Sequence, residues 1–309
     1  MLRYIIKRLL WLIPVLFFVA LITFTLMHLV PGGPWDREKA LAPQIVANLN
    51  HKYGLDKSLV SQFGHFVWNA AHGDLGVSYS FQNRSVMSII ESGLPKTATL
   101  GVCAFALAVL MGVPLGMAAA RKQNSAVDYA SVLFSTIFAS IPGFVLGIVL
   151  IIVFSVKLHW LPTGGWGNGW DLARHLIMPS FALAALPAAF IARVTRASML
   201  EVLNQDYIRT ARSKGLSERV VLTRHVLRNA LIPVLTIAGP ELAFLISGSF
   251  IIENLFSIPG IGRLFVQGIF ARDYGLIMGS ILFYAFVVAV LNLVVDVLYA
   301  VVDPRIRYE

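Results

Sequence analysis

Two carboxylic acids stand inside long apolar runs of this sequence. Glu241 follows Pro240 within one run, and Asp296 lies near the end of the last run. A charged side chain in hydrocarbon costs free energy, so such residues line a pathway or form structural ion pairs. For Glu241 we expect either a pathway lining or a contact with a partner helix, and both alternatives stay open. For Asp296 we predict a structural ion pair with Arg193 or Arg196.

The motifs of several enzyme classes are missing from the chain. A phosphate-binding P-loop requires a Gly-Lys pair, and the sequence contains none. None of the seven histidines is followed by glutamate, as an intramembrane metalloprotease motif requires. A Gly-x-Ser-x-Gly nucleophile motif is also missing. We therefore expect a protein that is not an enzyme and that itself binds no metal or cofactor, with energy supplied by a gradient or by a partner.

The composition is that of a membrane protein. Hydrophobic residues make up 57% of the 309 residues, charged residues make up 13%, and the mean hydropathy is +0.75. Six apolar runs are long enough to cross about 30 Å of hydrocarbon. They are residues 9–30, 97–120, 129–156, 176–192, 230–252 and 276–302, the fourth extending toward Arg196. We therefore predict an all-α integral membrane protein with six transmembrane helices.

The distribution of basic residues predicts the orientation of these helices. With a cytoplasmic N-terminus, the inner segments hold 15 of the 25 Lys and Arg within 60 residues, and the outer segments hold 10 within 108. Positive charge favours the cytoplasmic side, so we expect both termini to be cytoplasmic. The run 9–30 is too long for the core of a cleaved signal peptide, and we expect it to be retained. Cys103, the single cysteine, lies inside the second run and cannot form an intrachain disulfide.

Residues 31–93, between the first two spans, predict a helical extracytoplasmic cap. One helix is expected over 43–53 and ends at Gly54. A second helix is expected to be capped by Asp56 and to end near Gly73. Its buried side chains would be Leu59, Phe63, Phe66 and Val67. The predicted organisation is thus a first helix over 1–30, the cap over 31–93, a transmembrane domain over 94–302 and a cytoplasmic tail over 303–309.

The fourth and fifth apolar runs are joined by a strongly basic segment. Eight Lys or Arg lie between residues 193 and 229. Asp206 is placed to cap a short helix that runs through Lys214, and Gly215 is placed to end it in a left-handed turn. Ser217 is placed to cap a second helix over 218–228, which returns the chain to the membrane. The short helix from Asp206, held away from the membrane by two arms, suits a groove on a soluble protein. The alternative is a basic hairpin that lies on the membrane surface.

The residue spacing in this segment resembles the coupling loop of ABC-importer permeases. Ala211 is followed by Gly215 and His225, and then by Leu-Ile-Pro at 231–233. The family's leading Glu-Ala is replaced by Arg209-Thr210, a departure that fits the peptide branch. Further motifs carry the resemblance: MLRYIIKRLL (1–10), HGDLGVSY (72–79), LPKTATLG (94–101), HWLPTGGW (159–166), PGIGRLFVQGIFARDY (259–274) and VDVLYAVVDPRIRY (295–308). Together they are similar to the dipeptide/oligopeptide/nickel permease family. The short cap and the run PQIVANLNHKYGL (43–55) look most like the first permease subunit of oligopeptide importers.

The resemblance implies a permease subunit of a type I importer, which moves oligopeptides across the bacterial cytoplasmic membrane by alternating access. It implies a second homologous permease subunit, two cytoplasmic ABC ATPases that bind ATP and Mg, and an extracytoplasmic peptide-binding protein. Dipeptides, glutathione or nickel are alternative substrates within the same family. From other classes, the alternatives are an ATP-independent secondary transporter or channel, and a non-transporting scaffold or receptor.

The same resemblance implies that the ATPase contact lies in the cytoplasmic loop 198–229. The residues implied are Tyr207, Ile208, Arg209, Thr210, Ala211, Arg212, Lys214, Gly215 and Leu216. Tyr207, Ile208 and Leu216 are expected to fill a groove on the ATPase. Arg209, Arg212 and Lys214 are expected to meet acidic residues at the rim of that groove. For His225 we expect a packing or capping role.

Overall fold

The computed structural model describes residues 2–36, 41–81 and 84–302. The predicted cytoplasmic tail, 303–309, lies outside the described residues. The helices are α1 (Leu2–Leu29), α2 (Pro43–Tyr53), α3 (Leu59–Ala71), α4 (Val86–Arg121), α5 (Ala126–Ser140), α6 (Gly143–Leu150), α7 (Trp170–Leu203), α8 (Asp206–Ser213), α9 (Glu218–Val220), α10 (Leu227–Ser247), α11 (Phe250–Leu255), α12 (Ile261–Phe270) and α13 (Tyr274–Val302). Two π-helical segments, Ile151–Lys157 and Val221–Val226, directly follow α6 and α9.

The helices that suit a membrane agree with the predicted class. Five described helical stretches are long and apolar enough to cross a bilayer: α1, α4, α7, α13, and the stretch that leads into and includes most of α10. Helices α5 and α6 form a bent pair that makes a sixth span when the two are taken together. The prediction of an all-α membrane protein is confirmed, with up to six spans among the described residues.

Two of the predicted spans are interrupted. The run 129–156 divides into α5 and α6, which are bent by 99°. Ile141, before Pro142, has an extended backbone, and Pro142 lacks the N–H that would continue the helical ladder. The run 230–252 is divided at Gly248, which adopts a φ of +99° between α10 and α11. Each of these two apolar runs therefore forms two helices.

The described residues form two compact units, and α4 contributes to both. The first unit comprises the residues up to Lys96 together with those from Pro259 onward. In it, α1 packs along α13 and against α3, where the Phe63 ring lies 5.7 Å from the Phe17 ring and 5.3 Å from the Phe24 ring. A buried cluster of Leu75, Val86, Ile89, Ile90, Ile261 and Leu276 forms its core.

The cap within the first unit follows the prediction for α2 and differs for α3. Helix α2 ends at Gly54, whose φ of +68° permits the left-handed turn expected there. Helix α3 is capped by Ser58 rather than by Asp56, because the Asp56 carboxylate is bonded to His51 at 3.0 Å. That hydrogen bond lowers the pKa of Asp56. Leu59 is exposed, contrary to the prediction, whereas Phe63, Phe66 and Val67 are partly buried.

The second unit, Thr97–Ile258, is organised around α7. Helices α5, α6 and α10 pack on α7, which runs from Trp170 to Leu203 and so extends past both ends of the predicted span. Gly112 and Gly116 of α4 face its backbone: a Cβ on them would lie 2.7 Å from the Ala188 carbonyl oxygen and 2.5 Å from that of Ala192. Small residues therefore let α4 and α7 approach closely, as membrane helices do where backbones meet.

Candidate coupling site and cavity

Helix α8 is fastened to the second unit by its inner face. Ile208 has 0% exposed surface and Ala211 has 7%. Both belong to a buried cluster that also contains Ala120, Met199, Val221, Leu222, Val226 and Ala230. The expectation that Ile208 fills a groove on an ATPase is therefore corrected, because the side chain is already enclosed by its own chain. Its burial holds α8 in a fixed position.

The ends of α8 differ slightly from the prediction. Gln205 is the N-cap, and Asp206 is the first helical residue, so the predicted capping role of Asp206 is wrong. The helix ends at Ser213, with Lys214 as the C-cap. Gly215 adopts a φ of +77°, which confirms the left-handed turn, and its N–H donates to the Arg212 carbonyl oxygen at 2.9 Å.

Two side-chain contacts join α8 to the arm that follows it. Arg212 donates to both carboxylate oxygens of Glu218, at 2.9 and 3.2 Å. This hydrogen bond raises the pKa of Arg212 above its ordinary value. Asn229 donates to the Tyr207 hydroxyl at 2.8 Å. Arg212, expected at the rim of a partner's groove, is thus engaged within the chain and closes the turn around Gly215.

The outer face of α8 remains open to a partner. Tyr207 is 44% exposed and Leu216 is 40% exposed. Arg209, Thr210 and Lys214 are also exposed, and Arg209 lies 3.6 Å from Asp206. An aromatic ring and a cation on α8 are therefore exposed, together with a second cation and an aliphatic side chain in the turn that follows the helix.

The return arm is not the regular helix expected over 218–228. Helix α9 covers only Glu218–Val220, and Ser217 makes no side-chain capping bond. The π-helical turn Val221–Val226 follows, and its Val221, Leu222 and Val226 are buried beneath α8. Short π-helical turns are rare in proteins, and those that occur are often located at functional sites. His225 is partly buried in this turn.

The predicted ion pairs form with other partners. Arg196 donates from Nε to Oδ1 of Asp128 at 2.6 Å and from Nη2 to Oδ2 at 2.7 Å. Asp296 pairs with Arg8 of α1 at 2.7 Å, and the Arg193 guanidinium lies 6.0 Å from the Phe190 ring centre. The predicted partners of Asp296 are therefore corrected. Sequence reasoning missed Asp128, because it stands just outside the apolar run 129–156 and so lacks the signal of a charge within a span.

Glu241 lies at a cavity of about 680 Å³ in the second unit. The cavity is bounded by α6, α7, α10 and α11. Its walls are mainly apolar and include Phe144, Phe190 and Phe244. Glu241 is partly exposed and is the only ionisable side chain among the described residues that line the cavity. This position agrees with the expectation of a pathway lining, which remains a prediction.

A further buried carboxylate, Asp273, was not predicted. It accepts hydrogen bonds from the Ser78 hydroxyl, from the Ser80 N–H at 2.9 Å and from the Leu276 N–H at 3.0 Å. It thereby fastens the tip of the cap to the start of α13. Burial and the nearby Asp273 charge raise the pKa of Tyr79. The available signal was an aspartate directly before an apolar run, where helix caps are common.

Metal binding has no support in the described part of the chain. No group of three or more His, Cys, Asp or Glu among those residues is suited to hold a metal ion.

Two family models match this chain. The model described as "Binding-protein-dependent transport system inner membrane component" matches residues 112–308. A model for the N-terminal part of such membrane components matches residues 1–101. Together they cover almost the whole chain.

Named relatives match over their full length. The oligopeptide transport system permease protein OppB of Escherichia coli (strain K12) is 43% identical over 308 residues, with 100% of each chain covered. The OppB protein of Haemophilus influenzae is 42% identical with the same coverage. A putative peptide transport system permease protein of Brucella abortus (strain 2308) is 42% identical, with 99% of each chain covered.

Solved structures share the fold at low sequence identity. An inward-facing structure of the MetNI methionine ABC transporter matches with a TM-score of 0.58 and 20% identity, covering 70% of this chain and 97% of that chain. An amino acid ABC transporter with histidines matches with a TM-score of 0.54 and 18% identity, covering 71% and 95%. The chain belongs to the family of binding-protein-dependent transport system inner membrane components: it is a multi-pass permease subunit of a type I ABC importer in the cytoplasmic membrane, a transport component that acts with separate ATPase and substrate-binding partners.

Proposed function

We propose that this chain is the first permease subunit of an oligopeptide importer. The proposal is supported by the full-length similarity to OppB of Escherichia coli at 43% identity. Its proposed partners are a second homologous permease, two cytoplasmic ABC ATPases and an extracytoplasmic peptide-binding protein. ATP and Mg bind at the ATPases, and this chain binds no cofactor. Both termini face the cytoplasm, in agreement with the density of Lys and Arg in the inner segments.

The observation that carries the proposal is the two-faced character of α8. Its inner face is enclosed, with Ile208 and Ala211 buried, while Tyr207, Arg209 and Leu216 are exposed. A helix held this way moves with the unit to which it is fastened, because packed cores deform little. The exposed face docks into a groove on the ATPase, and closure of the ATPases is transmitted through α8 as rigid-body rocking of the membrane helices.

The cations of α8 act mainly on the docking geometry. Arg209 and Lys214 are exposed and face a rim of acidic side chains on the ATPase, where charge complementarity sets orientation and association rate more than affinity. Arg212 has a different role, since its bidentate bond to Glu218 fixes the turn that presents these cations. Glu241 lines the pathway that peptide crosses between the two permease subunits.

Reconstitution of the full importer tests the proposal. The complex of both permeases, the ATPases and the binding protein should take up a labelled oligopeptide into liposomes only when ATP and Mg are supplied on the ATPase side. A panel of dipeptides, glutathione and Ni²⁺ distinguishes the alternative substrates. Transport by this chain alone, without ATPases, would instead support a secondary transporter or channel.

Charge reversal tests the proposed contact. The double variant Arg209→Glu, Lys214→Glu should reduce ATPase co-purification and should slow uptake at least tenfold. Lys122→Glu is the matched control, because Lys122 is an exposed cation between α4 and α5 and lies outside α8. Equal retention of the ATPases and equal uptake rates for the double variant and the control would reject Arg209 and Lys214 as part of the docking surface.

A further inference from the structure

The cavity of the second unit has the size and lining of a ligand site. Its volume of about 680 Å³ lies within the usual range for small-molecule sites, about 300–1,000 Å³. Aromatic and aliphatic side chains form most of its wall, with Phe144 on α6, Phe190 on α7 and Phe244 on α10. Each of these three residues has more than 40% of its surface exposed. The wall therefore offers apolar surface that the described part of the chain does not cover.

Polar groups at the cavity are few, and most are occupied. The Thr236 hydroxyl donates to the Ile232 carbonyl oxygen at 3.1 Å. The Ser249 hydroxyl oxygen accepts from the Ile252 N–H at 3.4 Å. Glu241, in contrast, makes no hydrogen bond or ion pair with any described residue. One carboxylate is thus left to interact with whatever enters the cavity.

The chemistry of that carboxylate selects the ligand. An ionised carboxylate only accepts hydrogen bonds, so its natural partners are donors that carry positive charge. Aromatic faces beside it also favour a cation. The apolar walls add affinity for the hydrocarbon part of the ligand, and the low polarity of the site strengthens the attraction between opposite charges.

We infer that Glu241 binds an ammonium group of the transported peptide, while the aromatic wall receives an apolar side chain. This inference rests on the proposed function and names the part of the substrate that this chain recognises. The ammonium group has two sources, the free N-terminus of the peptide and the side chain of a lysine. Both offer the same charged N–H donors, and the test separates them.

The experiment uses three peptides of the same length in the complete reconstituted importer. One has a free N-terminus and no lysine, the second is N-acetylated and contains one lysine, and the third is N-acetylated without lysine. Uptake of each is measured with wild type, with Glu241→Gln and with Glu91→Gln, which removes an exposed carboxylate of α4 in the first unit. The binding protein is identical in all assays, so its own preferences cancel in the ratio of variant to wild type.

We expect Glu241→Gln to lower kcat/KM about tenfold for peptides with an ammonium group, as for loss of a charged hydrogen bond, and to leave the fully blocked peptide unchanged. Loss for the first peptide alone identifies the N-terminus as the ligand, and loss for the second identifies lysine. Glu91→Gln should match wild type for all three. An equal effect on all three peptides, or no effect on any, overturns the inference. Absence of ATP-driven uptake by wild type would instead overturn the proposed function.

Assembly is checked in parallel, because Glu241 also has the alternative of a contact with a partner helix. Failure of Glu241→Gln to co-purify with the second permease would overturn the inference in favour of that contact. If the variant is not produced at all, Glu241→Asp replaces it, since aspartate keeps the charge on a side chain one methylene shorter. The inference then requires that Glu241→Asp raises KM only for the peptides with an ammonium group. An equal change in KM, relative to wild type, for blocked and free peptides would contradict it.

Discussion

Replacing Gly215 with valine should uncouple ATP hydrolysis from transport. Gly215 has a φ of +77°, and a Cβ at this position would meet nothing within 4 Å. The cost is therefore backbone strain alone, about 1–2 kcal/mol for an ordinary L-residue and more for a β-branched one. A penalty of about 2 kcal/mol lowers the population of the native turn about thirtyfold relative to other conformations. The turn presents α8, so its loss disturbs docking without disturbing the spans.

The assay is the number of peptides transported per ATP hydrolysed by the reconstituted complex. The ratio should fall most for Gly215→Val, less for Gly215→Ala and least for Gly215→Asn, since asparagine tolerates the left-handed region best. Gly73→Val is the matched control, because Gly73 has a φ of +84° and equally open surroundings but lies in the cap. A wild-type ratio for Gly215→Val in a fully assembled complex would refute the reasoning.

Three further predictions follow from buried contacts. Ile208→Ala should weaken the attachment of α8 by about 2–5 kcal/mol and should speed amide hydrogen exchange in Asp206–Ser213. Arg209→Ala, at an exposed position of the same helix, should change that exchange little. Asp128→Asn should destabilise the protein by about 1–3 kcal/mol, because Arg196 loses its charged hydrogen-bond partner. Thermal unfolding in detergent measures the change, and an unaltered Tm would argue against the pair. Asp273→Ala should cost about 1–3 kcal/mol for each N–H left without an acceptor and should expose residues 73–81 to limited proteolysis. Unchanged cleavage would argue against the attachment of the cap through Asp273.

The elements that the sequence predicted well are those with local signals. Helix α2 follows its prediction at both ends, because Pro43 starts it and Gly54 stops it through backbone conformation alone. The turn at Gly215 was predictable for the same reason. The spans were predictable as apolar runs, but their interruptions at Pro142 and Gly248 were not, because proline and glycine also occur within continuous membrane helices.

The contacts that the sequence did not predict depend on how helices pack. Arg196 pairs with Asp128, which is 68 residues away, and only the approach of α5 to α7 brings the two together. The burial of Ile208 has a local signal in the sequence, because Ile208 and Ala211 are three residues apart and share one face of α8. The direction of that face, toward Met199 and Val221 rather than toward a partner, follows from the position of the return arm.

The π-helical turn in the return arm allows the cytoplasmic loop 198–229 to lose one residue without a change in the direction of its helices. Such a turn is wider than an α-helical turn, since its hydrogen bonds run from i to i+5. Removing one residue between Val221 and Val226 would convert the π-helical turn to ordinary α-helix. The faces of α9 and α10 would then keep their directions relative to each other. The same deletion inside a regular helix would rotate everything beyond it by about 100°. A related permease whose loop is one residue shorter should therefore have lost that residue here, with α8 still presented in the same direction.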